Sequence, residues 1–435
     1  MALGGGAFTA QNKVLPGTYI NFVSAASASA TLSDRGIVTM PLTLDWGVED
    51  EVFEVTNGDF FKNAQKIFGY SFDHESMKGL CDLFLNAKIL YAYRLGTGGK
   101  KATNAFATAK YSGIRGNDLK VTIKVNADNE DAFDVTLYLG TEQLDYQVVT
   151  DANDLVDNDY VIWNKTATLA ATASTPLTSG TNGTVSGTSY QSYLDKIESY
   201  TFNTMGVDVE DDTTKKLFVA FTKRLRDEMG IKFQLVVHDY AADYLGVISV
   251  KNEVKDADYS NSALVYWVTG AEASCAVNKS CQNKQYDGSF TVDTNYTQSE
   301  LIDAINAGEL VLHKVNFDIR VLEDINTMVT TSDTQGAVFK DNQTIRVIDQ
   351  LGNDDAVVFN TKYLGVVPNT AAGRTSLWSD LVKIRQSLQD IGAIEEFTDS
   401  DIVVEQGDSK KSVVVTGAIM VVNAMSKLYM TTKVA

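Results

Sequence analysis

The side chains best suited to chemistry lie far apart along the chain and complete no known catalytic pattern. His74, His238 and His313 share no metal-ligand spacing and no Cys-x-x-Cys pair occurs, so the sequence predicts no zinc site. His238-Asp239 follows a predicted strand, where α/β enzymes place catalytic groups, but a single histidine there is more typical of packing or capping. The Gly-x-Ser-x-Gly motif of many hydrolases is missing as well. We therefore predict no catalytic residue.

Two loops imitate ligand-binding motifs without completing them. The turn 96–101 is rich in glycine, but a phosphate loop would need glycine at Arg94 and serine or threonine at Lys101. The aspartates of segment 151–159 could gather oxygens around calcium, yet the segment lacks the glycine and the distal glutamate of a helix-loop-helix calcium site. We interpret these segments as a flexible turn and an acidic surface loop, and we expect no cofactor and no metal site.

The composition indicates an ordinary folded protein with an acidic surface. The 435 residues allow two to four domains, and 44% hydrophobic with 21% charged residues are typical of globular chains. A formal net charge of -19 disfavours nucleic acid and anionic membranes as partners. No apolar stretch reaches the ~18 residues of a membrane span, so we expect no direct membrane insertion.

The three cysteines fit a reducing site of synthesis. Their number is odd and no secretory signal begins the chain, which disfavours a disulfide framework and favours synthesis in the cytoplasm. Cys81 lies in an apolar run and is predicted to be a buried core thiol. Cys275 and Cys281 are six positions apart and could pair with each other.

The apolar periodicity predicts an α/β core interrupted by a β-rich insertion. Residues 32–102 and 190–334 alternate strands with amphipathic helices, which is typical of a sheet flanked by helices. Residues 103–189 contain short β runs and a Thr/Ser/Gly/Ala-rich stretch, and we interpret them as an inserted, sandwich-like all-β outer domain. Predicted core strands span 36–44, 89–95, 232–237, 247–250, 309–314 and 318–322; predicted core helices span 59–68, 75–86, 193–200, 213–229 and 263–276; and Thr297-x-x-Glu300 fits a capping box.

Residues 335–426 form a predicted C-terminal α+β domain. Helices are expected at 337–351 and 376–391, followed by a hairpin over 401–405 and 412–422. The second helix carries a basic patch in an acidic chain, formed by Arg374, Lys383 and Arg385. The patch is either a solvated helix face or a docking surface for an acidic partner. The apolar stripe expected on the buried side of this helix is Leu377, Leu381, Ile384 and Leu388.

Both ends of the chain contain strands without an assigned partner. Residues 1–31 are interpreted as an N-terminal arm, because the β-rich segment 11–22 lies between Gly-rich and Ser/Ala-rich tethers, and residues 427–435 as a C-terminal arm. A lone strand leaves its backbone donors and acceptors unpaired, so it has to join a sheet, which the tether allows to belong to another molecule. The residues expected in these inter-subunit strands are Val14, Thr18, Tyr19, Ile20, Phe22, Leu428, Tyr429, Met430 and Val434.

Several segments, spread over both ends, carry a family resemblance. They read VLPGTYINF at 14–22, RGIV at 35–38, LDWG at 44–47, INT at 325–327 and VVNAMSKLYMT at 421–431. In these residues the chain resembles the contractile tail sheath proteins of bacteriophages, and it is most similar to those of Gram-positive prophages, defective phage particles and R-type bacteriocins. The similarity covers most of the chain and is weakest in the β insertion.

The resemblance implies a structural, non-enzymatic subunit of a virion or contractile injection system. Subunits would stack as six-fold rings around an inner tube, while the arms add strands to sheets in the C-terminal domains of neighbouring subunits. A helix of that domain would face the tube, which makes Arg374, Lys383 and Arg385 the candidate tube contacts. Contraction from a metastable extended state would drive the tube through a cell envelope. Baseplate and tail terminator proteins would be further partners, and the particle, made in the bacterial cytoplasm, would be released on lysis.

An enzyme is the alternative that the residues leave open. An α/β core with an acidic β module would suit a carbohydrate-active protein, and acids are plentiful in this chain. Such an enzyme needs a deep pocket that holds two carboxylates with perturbed pKa values.

Overall fold

The structure is a computed structural model that describes residues 32–434. Within that range the strands are β1 (Ile37–Leu42), β2 (Val52–Thr56), β3 (Ile89–Arg94), β4 (Lys101–Thr103), β5 (Ala107–Ser112), β6 (Leu119–Val125), β7 (Phe133–Leu139), β8 (Glu142–Val149), β9 (Val161–Trp163), β10 (Thr172–Pro176), β11 (Thr204–Gly206), β12 (Gln234–His238), β13 (Val247–Val250), β14 (Glu309–Leu310), β15 (Leu312–Val315), β16 (Asp318–Val321), β17 (Ile394–Glu395), β18 (Ile402–Gln406), β19 (Val413–Gly417) and β20 (Met420–Val421). The α-helices are α1 (Asn57–Phe68), α2 (Lys78–Phe84), α3 (Gly187–Ile197), α4 (Asp212–Lys223), α5 (Val265–Ser274), α6 (Gln298–Asn306), α7 (Asn342–Val358) and α8 (Ala371–Asp390).

A seven-stranded sheet forms the core, in the order β14-β13-β12-β11-β1-β3-β2. All neighbours are parallel except β2, which pairs antiparallel with β3 at one edge. Alternate residues face opposite sides of the sheet, so Val236 belongs to the apolar cluster that includes α1, α2 and α5, while Val237 belongs to the cluster that includes α3 and α4. Both faces are covered, and β12 and β13 are therefore buried throughout. The predicted α/β core is confirmed.

Two antiparallel sheets build the β insertion. One has the order β10-β6-β7-β8, the other β4-β5-β9, and they share one apolar core. The chain enters and leaves through paired segments, because Thr97 bridges Thr184 and Lys100 bridges Thr181. Trp46 of the α/β core joins this cluster and meets Tyr111 edge to face, 5.3 Å between ring centres. The predicted all-β character is confirmed.

The C-terminal unit packs α8 against α7 and covers it with two short strand pairs. β18 and β19 form the predicted hairpin, with Val404 opposite Val415, and β17 pairs with β20. The four residues of the predicted apolar stripe on α8 are all buried: Leu377, Leu381, Ile384 and Leu388. The predicted capping box also forms at α6, where Thr297 and Glu300 satisfy each other's backbone N–H groups.

Some local predictions were wrong, and some strands were missed. The helix expected at 337–351 begins only at Asn342, because Asp341 caps it by accepting hydrogen bonds from the backbone N–H groups of Gln343 and Thr344. Residues 337–340 form a separate 3-10 turn, and α7 continues to Val358. The short strand β11 was missed, since three residues carry no periodicity. Cys81 is half-buried rather than buried.

Candidate assembly surface

The C-terminal arm leaves the folded body just after Ala424. Gln343 of α7 holds its root, because its Nε2 donates to the Val422 carbonyl at 3.0 Å and its Oε1 accepts from the Ala424 N–H at 2.9 Å. The following residues form no regular structure, so the strand expected at 427–434 is absent from this single subunit. The apolar side chains of the arm face solvent, with exposed fractions of 86% at Leu428, 89% at Tyr429, 78% at Met430 and 93% at Val434.

The N-terminal connection is also held by α7. Ser33 Oγ donates to Asp354 Oδ1 at 2.7 Å, and Gln350 Nε2 donates to Ser33 Oγ at 2.6 Å and to Asp354 Oδ2 at 2.8 Å. Burial raises the pKa of Asp354, while the hydrogen bonds from Gln350 and Ser33 act in the opposite direction. The predicted N-terminal arm residues, Val14, Thr18, Tyr19, Ile20 and Phe22, lie outside the described residues.

Ser33, at the start of the described residues, and residues 422–424, before the C-terminal arm, are therefore both held by one face of α7. Gln343 and Gln350 are seven positions apart, which is about two helical turns and ~10 Å along the axis. Asp354 lies one turn further, and all three side chains are buried. Sequence reasoning missed this function of α7. A sequence signal for these contacts existed, because these polar residues recur with helical spacing on the buried face of an amphipathic helix, where apolar residues are expected.

Buried ion pairs fix α7 to the α/β core. Arg226 donates through Nη1 and Nη2 to both carboxylate oxygens of Asp349, at 2.6 and 2.7 Å. Arg346 donates through Nη2 to Glu272 at 2.6 Å and Asp324 at 3.3 Å. Since the partners come from different parts of the chain, the helix that holds both segments is tied directly to the central sheet region.

A cluster with metal-ligand chemistry surrounds the second ion pair. One oxygen or sulfur atom each of Glu272, Cys281 and Asp324 lies within 4.8 Å of the others, and all three residues are buried. The Arg346 guanidinium already bonds both carboxylates, and Asp324 also accepts from the Cys281 N–H at 2.8 Å. The positive charge that faces these two carboxylates is therefore the Arg346 guanidinium.

The predicted basic patch is divided between opposite faces of α8. Arg385 points inward and is 6% exposed, and its guanidinium bonds both oxygens of Asp355 on α7 at 3.0 and 2.8 Å. Lys383 lies ~200° around the helix from Arg385 and faces solvent, 3.5 Å from Asp380. Arg374 is half-buried and donates to Asn369 Oδ1 at 2.9 Å. Helical spacing therefore separates Lys383 from the other two residues, and the three do not form one exposed patch.

The strand pairs of the C-terminal unit have open edges. β18 and β19 pair only with each other within residues 32–434, and so do β17 and β20. The exposed faces are apolar, with Val403, Val414, Val415 and Met420 in contact with solvent. An open, apolar edge is the surface on which another strand can be added.

Three features bear on the alternative of an enzyme. His238 is buried, which lowers its pKa, and its Nε2 has no hydrogen-bond partner among the described residues. The loop 151–159 spreads its acids over separate partners; for example Asp159 pairs with Lys66 at 2.7 Å. A pocket of about 210 Å³ beyond the end of β1 contains Asp208 and Asp258. Burial raises the pKa of Asp208, whose carboxylate accepts hydrogen bonds from two serines.

The fold and its surface define a class of protein, namely a multidomain α/β subunit with a β insertion, open strand edges and an exposed, apolar C-terminal end.

Family models match this chain in four consecutive pieces. They are the tail sheath protein Gp18 domain III N-terminal region at 35–95, the phage tail sheath protein beta-sandwich domain at 96–182, the phage tail sheath protein central domain at 183–327 and the phage tail sheath C-terminal domain at 334–435.

Individual relatives agree with these matches. The phage-like element PBSX protein XkdK of Bacillus subtilis is 30% identical over 99% of this chain and 100% of its own length. The crystal structure of a sheath tail protein from Desulfitobacterium hafniense is 36% identical, with a TM-score of 0.80 over 93% of this chain and all of that one. The helical sheath of the anti-feeding prophage in its contracted state shares the fold, with a TM-score of 0.57 over 96% of this chain and 98% of that one at 11% identity.

The chain belongs to the phage tail sheath protein family. The expectation of a structural subunit of a contractile tail sheath is thereby confirmed, and the carbohydrate-active alternative receives no support. None of the helices within residues 32–434 is long and apolar enough to cross a membrane.

Proposed function

We propose that copies of this chain polymerise as stacked six-fold rings around an inner tube and are linked by their terminal arms. Each arm adds a strand to an open edge in the C-terminal unit of a neighbouring copy. Contraction of the assembly from a metastable extended state drives the tube through a cell envelope, and baseplate and terminator proteins bind its two ends. The single observation that carries the proposal is the projecting apolar arm beside open strand edges.

Strand addition would bury the apolar side chains that the arm exposes to solvent in the single subunit. In an extended strand Leu428 and Met430 face one side and Tyr429 faces the other. Burying Leu428 and Met430 on a neighbour would contribute about 1.5–3 kcal/mol each, in addition to the backbone hydrogen bonds. Ten residues, 425–434, reach up to ~33 Å when extended.

Because both arms are attached to α7, force on either arm can be transmitted to the core of the subunit. A pull on either arm acts on α7 through Gln343 or through Ser33 and Asp354. The ion pair of Arg226 and Asp349 passes this pull to the core. Subunits can then rotate during contraction about their tethers while the paired strands stay intact.

The C-terminal arm can be tested without truncation. We expect Leu428→Asp combined with Met430→Asp to abolish long tubes, because the inserted charges cannot be buried against a neighbour's sheet. The matched control is Lys433→Gln, which changes an exposed charge in the same arm. Electron microscopy and sedimentation measure assembly, and the thermal midpoint checks that the subunit still folds. Tubes of normal length from the double variant would refute strand addition by this arm.

The tube contact is proposed for the exposed side of α8, at Lys383. We expect Lys383→Glu to weaken co-assembly with the tube protein, and Arg374→Glu, on the opposite side of the helix, to serve as the comparison. Arg385 is unsuitable for this test, because its removal would leave the half-buried Asp355 carboxylate without its ion-pair partner. Unchanged co-sedimentation of the Lys383 variant with tube protein would exclude this face.

We also propose a division of the chain into functional units. Residues 1–31 and 427–435 are the arms, 32–102 with 190–334 the core, 103–189 the outer β domain and 335–426 the tube-facing unit. The bridges between 97–103 and 178–184 support the position of the insertion, since they bring its entry and exit together.

A further inference from the structure

Two cysteines lie together at the end of α5. The Cys275 N–H bonds to the Ala271 carbonyl at 3.0 Å, and Cys281 Sγ lies 3.6 Å from that same carbonyl oxygen. Cys275 Sγ lies 3.5 Å from the Lys279 carbonyl, so the residues between the cysteines fold back into a tight turn. The two cysteines therefore contact the same carbonyl group, Cys275 through its backbone N–H and Cys281 through its sulfur.

Their surroundings give the two thiols different reactivities. The hydrogen bond from Cys281 lowers the pKa of Cys275 to about 7 against the effect of burial, and Arg346 and Arg35 lower it further. Cys281 is 2% exposed, and its hydrogen bond to Cys275 and its burial keep its pKa well above the usual value. Because the thiolate is the nucleophile, the half-buried Cys275 is the thiol that reacts first. Cys281 is the second thiol, which reacts with the oxidised Cys275.

We infer that Cys275 and Cys281 form a reversible disulfide when the subunit meets a peroxide. The Cys275 thiolate attacks one peroxide oxygen, the O–O bond breaks and hydroxide leaves, so that sulfur is oxidised to sulfenic acid. The Cys281 sulfur then attacks the sulfenic sulfur. The S–S bond forms, the S–O bond breaks, and the released hydroxide takes the Cys281 proton. Two thiols and one hydrogen peroxide thus yield one disulfide and two waters.

The disulfide would restrain the loop 275–281, which contacts α7. Arg346 of α7 donates to the Lys279 carbonyl at 2.6 Å, and Arg35 donates to the Cys275 carbonyl at 2.9 Å. The cysteine loop therefore contacts both α7 and the N-terminal connection. Closing the loop covalently restricts its opening, and we expect the amides of residues 275–281 to exchange hydrogen more slowly in the oxidised protein.

Mass spectrometry of the full chain tests the disulfide. After hydrogen peroxide treatment we expect the loss of two hydrogen atoms and a fall from three alkylatable thiols to one, with a digest linking Cys275 to Cys281 and dithiothreitol restoring all three. Cys81→Ser should form the same link, whereas Cys281→Ser should instead leave Cys275 oxidised to the sulfenic acid or beyond. Sulfinic acid on Cys275 of the unmodified chain without a link, or three thiols still alkylatable, would overturn the inference. The wild-type digest decides the question even if a variant fails to fold.

Discussion

Removing the carboxylate of Asp349 is expected to loosen α7 from the core by about 3–5 kcal/mol, the usual cost of breaking a buried ion pair. The side chains of Arg226 and Asp349 are 3% and 9% exposed, and both guanidinium nitrogens bond the carboxylate. In Asp349→Ala the Arg226 charge stays buried without a counter-charge. Solvent screening is weak at this site, so the full penalty applies.

An exposed pair of the same length supplies the control. Lys255 and Glu253 are also 2.6 Å apart, but their side chains are 48% and 45% exposed. Glu253→Ala is therefore expected to cost much less than Asp349→Ala, because solvent screens the exposed pair. Since the two contacts have equal length, the difference between the variants measures the effect of burial.

Hydrogen exchange of the α7 amides is the appropriate assay, because it reports the free energy of local opening. A second variant, Arg226→Met with Asp349→Leu, replaces the pair with apolar side chains and should recover most of the loss. The reasoning is refuted if Asp349→Ala weakens protection no more than the control does. It is equally refuted if the double variant loses as much as the single one.

Two further outcomes are expected. Burial and Asp324 raise the pKa of Asp341 to about 6, so its stabilising contribution is complete below its ordinary pKa near 3.8 and is lost as pH rises through about 6. Asp341→Asn should therefore gain up to about 3 kcal/mol over wild type between pH 4 and 7 in thermal unfolding, and parallel pH curves would contradict this. Gly113 has φ 126°, and a Cβ at this position would clash with the Asp45 carbonyl oxygen. Gly113→Ala should therefore lower the thermal midpoint by several degrees. Gly140→Ala, at φ 60° with no atom within 4 Å, is the milder control, and equal effects of the two substitutions would count against the steric argument.

Much of the local structure followed from the sequence. Local signals, in which the residues that matter lie close together in the sequence, were enough to predict several elements. They are the helices at 57–68 and 371–390, the hairpin of β18 and β19, and the capping box at Thr297. The arms were recognisable for a related reason, since a β-rich segment beside small residues has no local partner. The missed strands include β2 and β8 as well as the three-residue β11, whose strand character comes from the parallel neighbours on both sides.

The sequence alone thus determined the family resemblance, the α/β core, the β insertion and the presence of a C-terminal arm. Only the tertiary structure decided what that arm is attached to and which charges reach the surface. Ser33 and Asp354 are 321 positions apart, and Gln343 and Val422 are 79 apart, so no local pattern could pair them. Arg385 looked like Lys383 in the sequence, but the packing of α8 on α7 turned one inward to Asp355 and left the other in solvent. Residue type sets which contacts are possible, and long-range packing selects among them.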